Sequence, residues 1–261
     1  MPADRHIGRV LGGKYQLIAK LGEGGMGAVY RAQHTLVDRI VAVKILHSHL
    51  TENETFLQRF HQEARVSSRI SHPSAVTLWD FGIEDGKPYL VLEYVEGRTL
   101  KDIIATQGAI TPERTLEILR QVCGALGAAH ALGIVHRDLK PDNIMVTIEP
   151  NGNERVRVLD FGIAKDLSRT PGENLALATQ AGMLMGTPEY ISPEQIMEKS
   201  LDPRADIYSL GVILFEMLSG RVPFQSRSPL EVYIAHLRHS PPLIPTIVPG
   251  SHIPAKITDV V

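Results

Sequence analysis

The sequence is poor in the features that mark disulfide-bonded scaffolds and nucleic-acid-binding proteins. Cys123 is the only cysteine, which excludes a fold held together by disulfide bonds. The 27 lysines and arginines are balanced by 29 aspartates and glutamates, whereas a nucleic-acid-binding protein shows a basic excess. Aromatic residues make up only 5% of the 261 residues, and 43% are hydrophobic. This is the composition of an ordinary globular protein that does not bind nucleic acid.

Long apolar runs are also missing. The best candidate, residues 210–218, contains Glu216 and is much shorter than the about 20 apolar residues of a membrane-spanning helix. The N-terminus carries charged residues where a signal peptide needs an apolar stretch. We therefore expect no membrane segment in this chain and a cytoplasmic location, although a longer native protein would be free to carry a membrane anchor elsewhere.

The pattern of the sequence changes near residue 97. Before it, short runs rich in β-branched residues predict an antiparallel sheet, with strands over residues 15–20, 28–32, 39–46, 76–79 and 89–95. One helix is predicted over residues 56–70. An apolar stripe at helical spacing, which also carries a carboxylate, indicates it: Phe56, Phe60, Glu63, Ser67 and Ile70.

After residue 97 the pattern predicts mainly helices. One begins at Pro112 with Thr111 as its N-cap and ends near Gly133, a second covers residues 206–219, and a third begins at a capping box over residues 228–231. A hairpin over residues 144–159 turns at Asn151-Gly152. We predict an α+β protein with a small antiparallel β-sheet lobe containing one helix, followed by a larger, mainly helical lobe.

Residues 22–29 form a glycine-rich pattern, G-x-G-x-x-G-x-V, whose glycines would let backbone N–H groups approach phosphate oxygens closely. A dinucleotide-binding loop needs a helix after the glycines, but a strand-forming sequence follows. A P-loop needs lysine where Ala28 stands. The remaining interpretation is a glycine-rich hairpin, which either covers phosphates or is a plain turn without a ligand.

Lys44 stands in the apolar strand sequence VAVKIL, where alternation places apolar residues on both faces. A lysine in such surroundings needs a partner, and Glu63 on the apolar helix stripe is the natural one. The alternative is a lysine that extends its ammonium group to solvent and a solvated glutamate.

Two polar motifs follow the helix that begins at Pro112. Residues 136–143 read HRDLKPDN, which Pro141 and two aspartates prevent from continuing the helix, and residues 160–162 read DFG at the end of a predicted strand. Taken alone, the first could be a polar loop whose side chains cap turns, and the second could occur by chance.

These motifs occur in one order and are followed by Ser192-Pro193-Glu194. Together they resemble the protein kinase family, and specifically its serine/threonine branch, from about Tyr15 to the last residue. The sequence GTPEY before SPEQ resembles the bacterial, Hanks-type members. The resemblance implies an N-terminal extension over residues 1–14 and a bilobal kinase domain over 15–261. Its small lobe would cover 15–96, with a hinge at about 93–97, and its incomplete large lobe 98–261.

The resemblance also implies an ATP site. Residues in the positions that contact the nucleotide in this family are Leu21, Gly22, Glu23, Gly24, Gly25, Met26, Gly27, Val29, Ala42, Lys44, Glu63, Glu93, Val95 and Met145. Leu92 would be the gatekeeper. Lys44 would hold the α- and β-phosphates, held in turn by Glu63, while Asp160 and Asn143 would bind Mg²⁺, with Mn²⁺ as the alternative.

For phosphoryl transfer, the resemblance makes Asp138 the acceptor of the substrate hydroxyl proton and Lys140 the group that neutralises charge on the phosphoryl group. Lys140 and Thr187 are typical of kinases that act on serine and threonine. The predicted catalytic residues are therefore Lys44, Asp138, Lys140, Asn143 and Asp160.

Arg137 next to Asp138 predicts control by phosphorylation of residues 160–194. Thr179 is the predicted autophosphorylation site, which would involve a homodimer, and the alternative is a loop that needs no modification. Two other functions stay open at this stage. One is a pseudokinase scaffold, and the other is a small-molecule kinase of related fold.

The end of the sequence departs from the family pattern. Residues 253–261 look like the start of a further helix. Relatives pair the glutamate corresponding to Glu194 with an arginine of a later helix, but no arginine follows Arg238. We expect a fragment cut inside the large lobe, with weak soluble expression and a low melting temperature.

Overall fold

The computed structural model describes residues 4–25, 27–47, 54–161, 187–197, 199–244 and 253, with only the backbone of residues 54 and 55. These residues form two compact units. The first unit contains the described residues up to Ser71 together with Ala75–Glu96. The second contains His72–Ser74 and the described residues from Gly97 onward.

The first unit is built on an antiparallel sheet. Its strands are β1 (Val10–Leu11), β2 (Tyr15–Gly24), β3 (Gly27–His34), β4 (Arg39–Leu46), β5 (Leu78–Glu84) and β6 (Lys87–Glu93), in the order β1-β2-β3-β4-β6-β5. Helix α1 (Glu54–Ser67) lies between β4 and β5 in the chain. Residues before Tyr15 contribute β1, and Leu11 is buried in the core.

The two faces of β4 behave as its alternating sequence predicts. Val41, Val43 and Ile45 are buried in the cluster on one face. Leu46 belongs to the cluster on the other face, together with Phe60 of α1. Lys44 shares the face of Leu46 and is half-buried.

Several predicted elements differ from the structure in their bounds, and the strand predicted over residues 76–79 and the helix predicted over 56–70 are two examples. Residues 76–79 were expected to form a strand, but β5 covers Leu78–Glu84. The sequence does not predict the second half of this strand, because glycine at position 82 is not typical of strands. The glycine is needed because a Cβ there would lie 2.6 Å from the hydroxyl of Tyr89. Helix α1 ends at Ser67, three residues before the predicted end.

The second unit is mainly helical. Its helices are α2 (Leu100–Gln107), α3 (Pro112–His130), α4 (Pro193–Ile196), α5 (Arg204–Ser219) and α6 (Pro229–Arg238). A small antiparallel sheet contains β7 (Arg98–Thr99), β8 (Ile144–Ile148) and β9 (Glu154–Val158) in that order. The predicted α+β class is therefore confirmed. None of the helices in the described part of the chain is long and apolar enough to cross a membrane.

Local signals explain most of the boundaries in this unit. The Thr111 side chain caps α3 by accepting a hydrogen bond from the backbone of Arg114, and Gly152 takes the positive φ (83°) that the predicted hairpin turn needs. The predicted capping box at the start of α6 is wrong. Ser228 is the N-cap residue, but its side chain makes no capping hydrogen bond. Glu231 instead accepts a hydrogen bond from Ser226.

Candidate active site

Three of the predicted catalytic residues meet in the loop between α3 and β8. The Lys140 ammonium lies 3.1 Å from Oδ2 of Asp138. The Asn143 side-chain amide donates to the main-chain oxygen of Asp138 at 2.8 Å and approaches Oδ2 at 3.4 Å. The Asp138 side chain is 25% exposed, so its carboxylate is oriented from one side and accessible from the other.

A buried carboxylate of α5 holds this loop in place. Asp206 is only 1% exposed, and its two oxygens accept hydrogen bonds from the backbone N–H groups of His136 (2.8 Å) and Arg137 (2.9 Å). The ring of His130 lies 2.8 Å from Oδ2 of Asp206. Charge-assisted hydrogen bonds of this kind are the stronger ones in proteins, so Asp206 positions the segment that carries Asp138.

The loop is also tied to the residue that precedes Asp160. The ring of the fully buried His136 donates through Nε2 to the carbonyl of Leu159 at 2.7 Å and accepts through Nδ1 from the Asp138 N–H at 3.3 Å. The N–H of Leu159 donates in turn to the carbonyl of Asn143 at 2.8 Å. These bonds connect Asn143 to Leu159, so the two predicted metal-binding residues, Asn143 and Asp160, lie in and directly beside one hydrogen-bonded network.

Two residues of the site adopt the left-handed backbone conformation without being glycine. The φ angle is 65° at Arg137 and 52° at Asp160. This conformation is uncommon for such residues and persists where the surrounding structure fixes it. At Arg137 the fixing bonds are visible, because its N–H is held by Asp206 and its carbonyl accepts from Gln195 Nε2 at 2.8 Å.

The oxygen atoms of Asn143 and Asp160 suit a hard divalent cation. The Nδ2 atom of Asn143 is occupied by Asp138, which leaves its Oδ1 as the atom that can face a metal ion. Magnesium is commonly bound by one or two protein oxygens together with phosphate oxygens of the substrate. The described residues contain no cluster of three or more histidine, cysteine, aspartate or glutamate side chains that would hold a metal ion on their own.

Residues 187–196 are anchored to α5. Thr187 precedes a 3-10 turn (Pro188–Tyr190), and Ser192 starts α4 with a capping box closed by Gln195. The Tyr190 hydroxyl donates to Glu216 at 2.6 Å, and Ser209 donates to the Tyr190 carbonyl at 2.7 Å. Thr179 lies outside the described residues.

Tyr190→Phe tests this anchor. Burial raises the pKa of the Glu216 carboxyl group, and the hydrogen bond from Tyr190 lowers it. Without that bond the buried carboxylate loses its donor, and we expect the free energy of unfolding to fall by about 1–3 kcal/mol. A raised pKa in the folded state favours the protonated carboxyl group, so the loss should be larger at pH 8 than at pH 5. Urea unfolding at the two pH values measures it.

The matched control is Tyr94→Phe, because the Tyr94 hydroxyl makes no hydrogen bond within the described residues. Its stability should change by less than about 0.5 kcal/mol. A Tyr190→Phe variant as stable as this control at both pH values would contradict the anchoring role.

The glycine-rich sequence forms the predicted hairpin between β2 and β3, with Gly22 opposite Val29 and Gly24 opposite Gly27. The glycines of this hairpin differ in whether the surrounding structure leaves room for a side chain. A Cβ at Gly27 would collide with the backbone carbonyl of Ile45. A Cβ at Gly22 or Gly24 would meet no atom of the described residues within 4 Å. Packing therefore explains Gly27, whereas Gly22 and Gly24 leave an open surface beside the backbone.

This difference predicts a large loss of stability for one alanine variant and almost none for the other. Gly27→Ala should lower the free energy of unfolding by about 1–3 kcal/mol, because the backbone of β4 must move to accept the methyl group. Gly24→Ala should change it by less than about 0.5 kcal/mol, since nothing in the described structure occupies that space. Urea unfolding of the two variants makes the comparison, and equal effects would refute it.

Other predicted nucleotide-site residues of the first unit share one face of the sheet. Val29 pairs with Lys44, and Ala42 pairs with Leu92, and all four side chains are half-buried. Glu63 is half-buried on α1, and its pairing with Lys44 stays a prediction. The predicted hinge residues begin at the end of β6, where the N–H of Glu93 donates to Thr77 at 2.9 Å.

The remaining predicted residues fall in several places. Leu21 and Glu23 lie on β2 and are exposed, and Val95 follows β6 and is half-buried. Met145 lies on β8 in the second unit and is half-buried. Gly25 follows β2 in the turn, and Met26 lies outside the described residues.

Sequence reasoning missed Asp206 and Gln195 as parts of the site. The helical pattern marked Asp206 only as the start of a helix, and no motif singled out Gln195. The available signal was an aspartate in a mainly apolar helix, since a charge in such a helix needs buried partners.

Each unit contains an element that is typical of protein kinases: the loop over residues 136–143 with its hydrogen bonds to Leu159 in the second unit, and the glycine-rich hairpin in the first. The family model described as "Protein kinase domain" matches residues 15–255. The chain therefore belongs to the protein kinase domain family, and the resemblance stated from its motifs is confirmed.

Similar proteins include named bacterial kinases. The chain is 42% identical to the serine/threonine-protein kinase pkn3 of Myxococcus xanthus, over 92% of this chain and 44% of the relative. It is 41% identical to the serine/threonine-protein kinase PrkC of Bacillus subtilis (strain 168), over 90% of this chain and 35% of the relative. The chain thus spans less than half the length of these curated relatives.

A solved structure supports the fold. The crystal structure of the Mycobacterium tuberculosis PknI kinase domain matches with a TM-score of 0.69 and 28% identity, over 93% of this chain and 84% of that chain. The predicted protein kinase fold, with a β-sheet lobe and a mainly helical lobe, is confirmed. Membership of this family implies the use of ATP, a divalent metal ion and protein substrates.

Proposed function

We propose that the chain is the catalytic part of an ATP-dependent protein serine/threonine kinase in signal transduction. It would transfer the γ-phosphoryl group of ATP to serine and threonine hydroxyls of proteins, itself included. The observation that carries this proposal is the arrangement of Asp138, Lys140 and Asn143 in one loop that Asp206 anchors. A scaffold without catalysis would not require this oriented acid, cation and amide.

The chemistry follows from these positions. Asp138 accepts the proton of the substrate hydroxyl through its partly exposed carboxylate group, while Lys140 places a positive charge beside the same group. Phosphoryl transfer depends mainly on positioning and charge neutralisation, so a rigid loop contributes directly to the rate.

Nucleotide binding is assigned to the residues that match the family motifs. Lys44, held by Glu63, contacts the phosphates beneath the glycine-rich hairpin, and Val29, Ala42 and Met145 contact the adenine. Asn143 and Asp160 would hold Mg²⁺, or Mn²⁺ in its place, and the bound ion would neutralise charge at the phosphate oxygens. The proposed kinase domain covers residues 15–261, with a small lobe over 15–96 and a large lobe over 98–261.

Regulation is assigned to Arg137, Thr179 and Thr187. Arg137 reads a phosphate on the activation segment, Thr179 receives it from a second copy of the chain, and Thr187 helps to select serine and threonine acceptors. Mass spectrometry after incubation with ATP tests the site of modification. Phosphate found only at other residues would remove Thr179 from this proposal.

The test of the function is phosphotransfer from γ-labelled ATP with Mg²⁺ to a generic protein substrate, followed by phosphoamino acid analysis. We expect label on serine or threonine, and a loss of about 10²-fold or more in the Lys44→Met variant, which removes the cation on the phosphates. ATP binding without transfer, or label confined to small molecules, would contradict the proposal.

A further inference from the structure

The first unit contains a cavity of about 250 Å³ that the proposed phosphotransfer does not use. Its floor is apolar and consists of Leu11, Ile45 and Tyr89, which belong to the buried cluster on one face of the sheet. Lys44 and Val29 lie on the other face. The cavity is therefore separated from the nucleotide-site residues of this unit by the sheet itself.

At the charged rim of the cavity, the carboxylates have hydrogen-bond partners, whereas two of the cationic side chains have none among the described residues. Both of its carboxylates are occupied, because Asp85 accepts from Arg9 at 2.7 Å and Glu84 accepts from the N–H of Gly12 at 2.9 Å. Arg5 and Lys87 also line the cavity, and neither side chain forms an ion pair or hydrogen bond with any described residue. Two cationic groups thus remain available above an apolar floor.

His6 forms another part of the wall. Burial and the nearby charge of Lys87 lower the pKa of its imidazole. The lowered pKa favours the uncharged ring, so the positive charge of the cavity comes from Arg5 and Lys87 and from Arg9, which is paired with Asp85.

We propose that this cavity binds a small organic anion, namely a free carboxylate or phosphate monoester that carries one ring-sized apolar group. The apolar group would lie on Leu11, Ile45 and Tyr89, and the anion would contact Arg5 and Lys87. Ligand sites are typically apolar with a few placed polar groups, and a cavity slightly smaller than the pockets of drug-sized ligands suits a smaller molecule. The ligand would join the segment before Tyr15 to β4 and β6.

The test is the binding of phenyl phosphate to the chain, measured by calorimetry with an ATP analogue present at saturation. We expect phenyl phosphate to bind at least tenfold more tightly than inorganic phosphate, which lacks the ring, and than benzyl alcohol, which lacks the charge. The Arg5→Ala/Lys87→Ala variant should weaken phenyl phosphate binding at least tenfold. Arg5→Glu should weaken it at least as much.

The matched control is Arg69→Ala, an exposed arginine of the same unit that does not line the cavity, and it should leave binding unchanged. Phenyl phosphate that the nucleotide analogue displaces, or that binds equally well to the Arg5→Ala/Lys87→Ala variant, would overturn the proposal. The measurement does not depend on phosphotransfer, so it can succeed or fail independently of the proposed kinase activity.

Discussion

Replacing Asp138 with asparagine is expected to lower phosphotransfer by about 10²- to 10⁴-fold, the contribution typical of a general base. The amide keeps the shape of the side chain but can no longer accept the substrate proton. Stability should change by less than about 1 kcal/mol, because the ion pair with Lys140 is partly exposed and such pairs contribute little. Initial rates with labelled ATP and urea unfolding of the same preparations measure both quantities.

The control for this variant is Asp102→Asn, an aspartate of α2 that is exposed and outside the catalytic loop. It should keep the wild-type rate. An Asp138→Asn protein that is folded and retains near-normal turnover would exclude Asp138 as the proton acceptor, and with it the proposed mechanism.

Asp206→Asn should lower the free energy of unfolding by about 2–5 kcal/mol, which is more than the replacement of Asp138 should cost. The wild-type carboxylate accepts two backbone N–H groups and contacts the ring of His130. An amide has only one accepting oxygen, so its NH₂ group must face a backbone N–H or turn away from it. Because the released segment carries Asp138, phosphotransfer should also fall at temperatures where the variant is still folded. Urea unfolding followed by circular dichroism, together with initial rates, tests both effects.

Asp202→Asn is the matched control. Asp202 lies four residues before Asp206, is partly exposed, and pairs with Arg204 at the surface. Its replacement should change the free energy of unfolding by less than about 1 kcal/mol. If the Asp206 and Asp202 variants were equally stable, the hydrogen bonds to the loop would have no energetic role.

From the sequence we could predict those site residues that lie close together in the chain and form one motif. The loop containing Asp138, Lys140 and Asn143 spans eight residues, so one motif contains the interacting groups. The alternation of side chains around Lys44 is also a pattern of adjacent residues, and the structure confirms that the strand has two apolar faces. Short-range patterns of this kind are enough to recognise a site and to place it in a family.

The sequence did not predict the bonds that fix the loop. Asp206 and Gln195 contact Arg137 across 69 and 58 residues, and no local pattern links such distant positions. The true extent of β5 was missed for a different reason. An edge strand pairs on one side only, so its polar residues and its glycine resemble a loop. Long-range polar contacts and edge strands depend on tertiary structure.

The orientation of the Asn143 amide has a consequence for the choice of residue at this position. Its NH₂ group lies 3.4 Å from a carboxylate oxygen of Asp138. An aspartate at position 143 would place two negative charges at that separation, and each would oppose ionisation of the other. In the proposed site, asparagine would instead supply an oxygen for the metal ion without adding a charge, and only Asp160 of the two proposed metal-binding residues would be negatively charged. The proposed site could thus contain its proton acceptor, Asp138, and its cation-binding residue, Asn143, five positions apart without electrostatic repulsion between them.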